Sequence, residues 1–316
     1  MTYSNASTLD NPFRVLSLDG GGAKGFYSLG VLRSVEALAG KPLCEVFDLV
    51  FGTSTGAIIA SLISLGFTVD QIHDLYREHV PRIMQAKSSA DKSAALAELA
   101  TEVFGDKMFS DVKTGIGIVT TKWVSETPMI FKASAAQAHG RLPTFVPGFG
   151  VQISDAVQAS CSAYPFFNRK MVRTSAGNDV ELVDGGYCAN NPTLYAIADA
   201  TRAFGIPLDR LRVLSVGVGM YPPPSVPLWK ATFWVNKLLS VQLLQKTLEI
   251  NTASMEQLRA ILFKDVWAVR INDAFERPEM ATDLFEHNLA KLNILRQRGE
   301  ESYATREAEI TALMTT

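Results

Sequence analysis

The sequence predicts an α/β protein built on a mainly parallel sheet. Three observations predict it. The chain opens strand–helix–strand–helix over residues 13–65. Three apolar strands each run into a glycine turn, at Gly20-Gly21-Gly22, at Gly52-Thr53-Ser54-Thr55-Gly56 and at Gly185-Gly186. The composition, 47% hydrophobic and 20% charged, is that of a packed globular chain and not of a disordered one. The length of 316 residues allows one large domain. A single domain over 1–316 is expected, with a core at about 13–220 and a mostly helical C-terminal part at about 228–316.

The elements follow in order. Phe13 to Leu18 reads as a buried strand that the triple glycine ends. Lys24 to Ala39 reads as a helix, with Leu29, Leu32, Val35 and Leu38 on one face. Val46 to Phe51 is a second strand, and Thr55 to Leu65 the helix after it. A further helix is expected over Val69 to Met84. Ser88 to Glu102 is rich in Ala, Lys, Ser and Asp and reads as an exposed helix or mobile insertion. Residues 85–107 are the candidate lid, its order changing on activation. Ile116 to Thr120 and Pro128 to Lys132 read as strands. Arg141 to Gly150 reads as a loop, because of its prolines and glycines. Ile153 to Ser162 is a helix candidate and Val180 to Val183 a short strand. Asn191 to Phe204 reads as a helix opened by Asn191, with Pro192 at its first position. Leu211 to Gly217 is a strongly apolar strand. Four prolines between Tyr221 and Pro227 close the core. Trp267 to Ile271 is strand-like, Asp283 to Asn288 looks like amphipathic helix, and Glu300 to Glu309 reads as a solvated tail.

Composition also excludes functions. With 30 basic and 32 acidic residues the net charge is −2, so no broad field draws in DNA or RNA. Cys44, Cys161 and Cys188 are too few and too scattered for a disulfide framework or a metal site, which fits a reducing cytoplasm. Residues 49–69 carry no charge and are long enough to span a bilayer. Their many Gly, Ser and Thr instead favour a buried strand, turn and helix. The polar start, Met1 to Asn11, does not read as an export signal.

Two motifs carry chemistry. Gly20-Gly21-Gly22-Ala23-Lys24-Gly25 fits G-x-G-x-x-G between a strand and a helix. No acidic residue ends the second strand to hold a ribose, and no Lys-Ser or Lys-Thr follows Gly25, so neither a dinucleotide fold nor a P-loop fits. The backbone N–H groups of such a turn still attract a phosphate or a transient oxyanion. Gly52-Thr53-Ser54-Thr55-Gly56 fits G-x-S-x-G, with a strand entering and an apolar helix leaving, as a nucleophile elbow requires. Ser54 needs a base. Of the four histidines, His73, His79 and His139 read as surface or core-edge residues. His287 follows in the order serine, acid, histidine, so a Ser54–Asp184–His287 triad is one alternative. Asp184, in Val183-Asp184-Gly185-Gly186, is the other candidate base. It sits at a strand end, where desolvation can lift a carboxylate into a useful range.

Taken together, these motifs resemble the patatin-like phospholipase family over about residues 13–217. Asp19 to Gly25 matches its D-G-G-G-x-[KR]-G block, Gly52 to Gly56 its G-x-S-x-G, and Asp184 to Gly186 its D-G-[GA]. Ala159 to Phe167 and Asp184 to Pro192 are similar to two further blocks. The resemblance implies a three-layer α/β/α fold with extra C-terminal helices. It implies a lipid acyl hydrolase with Ser54 as nucleophile and Asp184 as base, without histidine or metal. Backbone N–H groups of Gly21, Gly22 and Ala23 would form the oxyanion hole, with Lys24 near it. Gly20, Gly25, Gly52, Gly56, Gly185 and Gly186 would support the motifs.

The chain also resembles the phospholipase effectors of CBASS antiphage systems. That implies an allosteric cyclic dinucleotide such as 3',3'-cGAMP, membrane phospholipids as substrate, and action from the cytoplasm at the inner membrane face, and it leaves a homo-oligomer open. A constitutive patatin-type lipase is the alternative. Candidate lipid-facing segments are Phe145 to Phe149 and Leu228 to Val235, with Trp229, Lys230, Phe233 and Trp234. The third reading is a non-enzymatic nucleotide-binding module that uses the glycine loop.

Overall fold

The computed structural model describes residues 11–140, 144–223 and 231–315, and of 231–239 only the backbone. In chain order the elements begin β1 (Phe13–Leu18), α1 (Gly25–Ala39), β2 (Leu49–Thr53), α2 (Thr55–Leu65), α3 (Val69–Gln85) and α4 (Ser89–Phe104). Next come β3 (Gly115–Lys122), β4 (Thr127–Lys132), α5 (Ile153–Ser160), β5 (Lys170–Arg173) and β6 (Asp179–Asp184). Then follow α6 (Gly186–Ala189), α7 (Thr193–Ala198), β7 (Leu211–Val216), α8 (Ala231–Leu262), β8 (Trp267–Ile271), α9 (Leu289–Ala304) and α10 (Glu307–Thr315).

The strands form one sheet in the order β5-β6-β3-β2-β1-β7-β8, with β4 paired to β3. The centre, from β3 through β2, β1 and β7 to β8, is parallel. β4, β5 and β6 run antiparallel to their partners. Strand residues alternate between two cores, as the pleat requires. Leu16, Leu18, Val50, Ile116 and Leu214 point into the larger core, with α1, α2, α3, α5 and α9. Val15, Leu49, Phe51, Val119 and Val213 point into the smaller one, with α7 and the segment after α8. The architecture is therefore three layers, helix–sheet–helix. Residues 49–69 are β2, a turn and α2, and among the described residues no helix is long and apolar enough to cross a membrane.

Several elements depart from the sequence expectation. β2 begins at Leu49, because Leu43–Glu45 is a 3-10 turn that consumes the residues before it. Gly22–Lys24 is a 3-10 turn ahead of α1. α5 ends at Ser160. The helix expected over Asn191–Phe204 is α7 followed by a π-helical turn at Asp199–Ala203, and Thr193, not Pro192, is its first helical residue. β5 and the short α6 carry no pattern of their own.

Two larger corrections concern burial. α4 is not an exposed insertion: Leu96, Leu99, Ala100 and Phe104 are buried, at helical spacing that the Ala-rich composition hid. The charged segment at 300–309 is solvated along most of its length, but it is helical and not a loose tail. It spans the end of α9 and the start of α10, with Ser302 and Tyr303 buried and Leu292, Leu295, Ile310 and Leu313 on either side of it in the larger core. The segment Leu228 to Val235 falls outside the described residues as far as its side chains are concerned.

Candidate active site

The sheet itself brings the two principal site residues together. β4 occupies one edge of β3 from Gly117 to Lys122. On the other edge β2 pairs as far as Thr53 opposite Val119, and β6 takes over with Asp184 opposite Thr120. The end of β2 and the end of β6 therefore meet at neighbouring rungs. Ser54 is the next residue after β2, and Asp184 the last of β6.

Ser54 occupies a tight elbow. Its backbone sits at φ 53°, ψ −122°, a region a residue with a side chain seldom adopts. Its N–H donates to Ser160 Oγ at 2.9 Å, and that hydroxyl donates to the Val119 carbonyl at 2.6 Å. The flanking glycines are needed for close approach: a Cβ on Gly52 would stand 2.2 Å from the Gly56 carbonyl oxygen, and one on Gly56 2.3 Å from that of Leu18. Ser54 and Asp184 line the same cavity, with the Ser54 hydroxyl near enough to lower the carboxyl's titration. Asp184 Oδ1 accepts the Gly186 N–H at 2.7 Å. Burial pushes the Asp184 carboxyl up to about 6, while the Gly186 N–H and the nearby Ser54 hydroxyl pull it back down. Cys161 lines the same cavity, and burial together with Asp184 pushes its thiol up.

The glycine loop is clamped beside this pair. Gly20 N–H donates to the Asn190 carbonyl at 3.0 Å, and Asn190 Nδ2 returns a bond to the Gly20 carbonyl at 3.1 Å. Asp19 is buried and makes a two-pronged ion pair with Arg270 of β8. The N–H groups of Gly21 and Gly22 have no hydrogen-bond partner among the described residues and line the same cavity as Ser54 and Asp184. The Ala23 N–H differs, since it is taken by the Leu284 carbonyl at 3.0 Å. Lys24 lies on the other side of the loop. It is buried, faces Glu249 of α8 at 3.7 Å, and lines a separate polar cleft with Asp19, Asn190 and Arg270.

The cavity at Ser54 is apolar apart from the reacting groups. Ile58, Leu75, Leu96, Leu99, Phe167 and Leu284 are among its walls, and its free volume is about 60 Å³, room for a few waters. His287 is not among its lining residues; it is exposed, with Nδ1 3.2 Å from the Phe285 carbonyl oxygen. Asp283–Asn288 is a turn and not a helix, with Asn288 capping α9. The sequence reading missed the roles of Ser160, Asn190 and Arg270. The first two lie in blocks it quoted; Arg270 is remote in sequence and carries no local signal.

The patatin-like phospholipase family matches residues 16–197, more than half of the chain. The chain belongs to the patatin-like phospholipase family. It is 64% identical over 317 residues to the cUMP-AMP-activated phospholipase of Escherichia coli, covering 98% of each chain. It is 26% identical over 217 residues to the cGAMP-activated phospholipase of Pseudomonas aeruginosa, covering 65% of this chain and 62% of that one. It is also 26% identical, over 235 residues, to the cGAMP-activated phospholipase of Vibrio cholerae, covering 66% of this chain and 64% of that one. Ser54 and Asp184 both fall inside the family match, and the protein is a hydrolase of this phospholipase family.

Proposed function

We propose that this patatin-like phospholipase cleaves fatty-acyl esters of membrane phospholipids with Ser54 and Asp184, and that a cyclic dinucleotide switches it on. The observation that carries the chemistry is the Ser54 hydroxyl near a buried carboxylate, beside two unpartnered N–H groups and an apolar cavity. Asp184 takes the proton as Ser54 Oγ attacks the ester carbonyl. The oxyanion is stabilised by the N–H groups of Gly21 and Gly22, and by that of Ala23 once Leu284 withdraws. Asp184 then gives the proton to the departing lysolipid oxygen. Water, activated by the same carboxylate, cleaves the acyl-enzyme. A histidine has no part in this scheme, and the exposed position of His287 supports leaving it out.

The regulatory half rests on the relatives. The protein 64% identical to this one is named for activation by cUMP-AMP. That favours cUMP-AMP over 3',3'-cGAMP as the activator here, and an antiphage role at the inner membrane face. Fatty-acid release from phosphatidylethanolamine–phosphatidylglycerol vesicles is measured with a panel of cyclic dinucleotides. The expected result is release raised at least tenfold by cUMP-AMP and by no more than one other member. Equal release without nucleotide removes the switch and leaves the hydrolase.

A further inference from the structure

α8 carries two apolar stripes on opposite sides. Val241, Leu244 and Leu248 are buried, the last two in a cluster with Leu284. At about 100° per residue, Leu243, Ile250 and Ile261 fall in one line on the far side of the helix. They are 69%, 68% and 64% exposed; Leu262, about 100° round the helix from that line, is 63% exposed. A row of this kind, about five turns long, is costly to leave in water and marks a surface that something covers.

The charges say what covers it. The two carboxylates between residues 240 and 262, Glu249 and Glu256, turn away from the stripe, towards Lys24 and Arg259. Lys246 is exposed beside it, and Lys264 and Asp265 are exposed just past the end of the helix. Among residues 240–262 the outward face is apolar, with Lys246 as its one charged side chain and no acidic one. That is the pattern of a helix lying in an anionic lipid interface. Resting on the phospholipase reading, we propose that this face of α8 docks the enzyme on an anionic phospholipid surface, the helix lying in the interface plane.

Flotation with phosphatidylglycerol-containing vesicles tests it, with and without cUMP-AMP, on wild type, on L243E/I250E/I261E and on K246E/K264E. Wild type is expected to float. The triple variant loses at least tenfold in bound fraction, and the lysine variant loses binding to anionic but not to neutral vesicles. Both keep wild-type turnover of a dispersed short-chain ester. Ser54→Ala still floats, which separates docking from hydrolysis. Wild type that floats in neither condition, or a triple variant that floats like it, overturns the proposal. A triple variant that loses a multimer in light scattering but keeps its vesicle binding assigns the face to a second copy instead.

A different observation carries a second inference. The Leu284 carbonyl holds the Ala23 N–H, and a Cβ on Gly22 would come within 2.4 Å of that oxygen. Leu284 and Phe285 also wall the nearly filled cavity, with Phe285 packed on Phe166 at 5.1 Å between ring centroids. We infer that residues 282–288 form a strap that closes the oxyanion loop and the acyl cavity and must withdraw for turnover. Asp283 Oδ1 holds its turn by accepting the Phe285 N–H at 2.8 Å. D283A and F285A are expected to raise nucleotide-free fluorophosphonate labelling of Ser54 at least tenfold. Labelling at or below the wild-type rate in both, with thermal unfolding unchanged, overturns it.

Discussion

At the scale of the residue, the site holds two unfavourable features. Ser54 is held at positive φ by backbone that leaves no room for relaxation. Gly56→Ala forces a Cβ against the Leu18 carbonyl and is expected to cost about 1–3 kcal/mol, read by urea unfolding. Asp184 is the second feature. Burial lifts its carboxyl from the ordinary 3.8 to about 6, so the fold prefers the protonated form. The protonated acid costs the fold nothing below about pH 4. The penalty grows as pH rises to about 6 and is constant above it, on the order of 3 kcal/mol. Asp184→Asn is therefore expected to melt a few degrees higher than wild type at pH 7.5 while losing turnover. A lower melting temperature contradicts the buried-carboxylate account. In wild type, kcat/KM is expected to fall about tenfold per pH unit below 6 and to level off above 7, since only the ionised base accepts the proton. A flat profile from pH 5 to 8 goes against Asp184 as the base.

At the scale of the element, the glycine loop depends on a strand far away in sequence. β8 pairs with β7 and delivers Arg270 to Asp19, whose carboxyl burial pushes up and Arg270 pulls down. Arg270→Ala leaves Asp19 buried and unpaired, at about 3–5 kcal/mol, and loosens the loop that carries the oxyanion donors. Unfolding and ester turnover are both expected to suffer. Full stability in that variant argues against the clamp.

The contrast with β1 and α2 shows what the sequence makes legible. Those elements were readable to the residue, because an apolar run bounded by glycines is a local signal. α4 was misjudged because its four buried apolar residues are diluted among Ala, Ser and Lys. The turn at 283–288 was read as a helix because its apolar and acidic residues happen to fall at helical spacing. Arg270 was invisible because its partner lies 251 residues away.

At the scale of the whole molecule, the meeting of Ser54 and Asp184 at the end of the sheet was foreseeable and its surroundings were not. Ser54 and Asp184 stand in glycine-marked turns, and turn chemistry survives in a single sequence. The Leu284 carbonyl on the oxyanion loop, the α4 wall of the cavity and the outward stripe of α8 arise from packing between distant segments. The described fold ties them together, since β8, α8 and the 282–288 turn all border the glycine loop or the cavity that it shares with Ser54. The measurement that bears most directly on this account is fatty-acid release from phospholipid vesicles with cUMP-AMP, for wild type, Ser54→Ala, Asp184→Asn and His287→Ala. Wild type and His287→Ala are expected to release fatty acid at similar rates, and the other two at least a thousandfold more slowly. Loss of release in His287→Ala, or its survival in Asp184→Asn, contradicts a serine–aspartate pair.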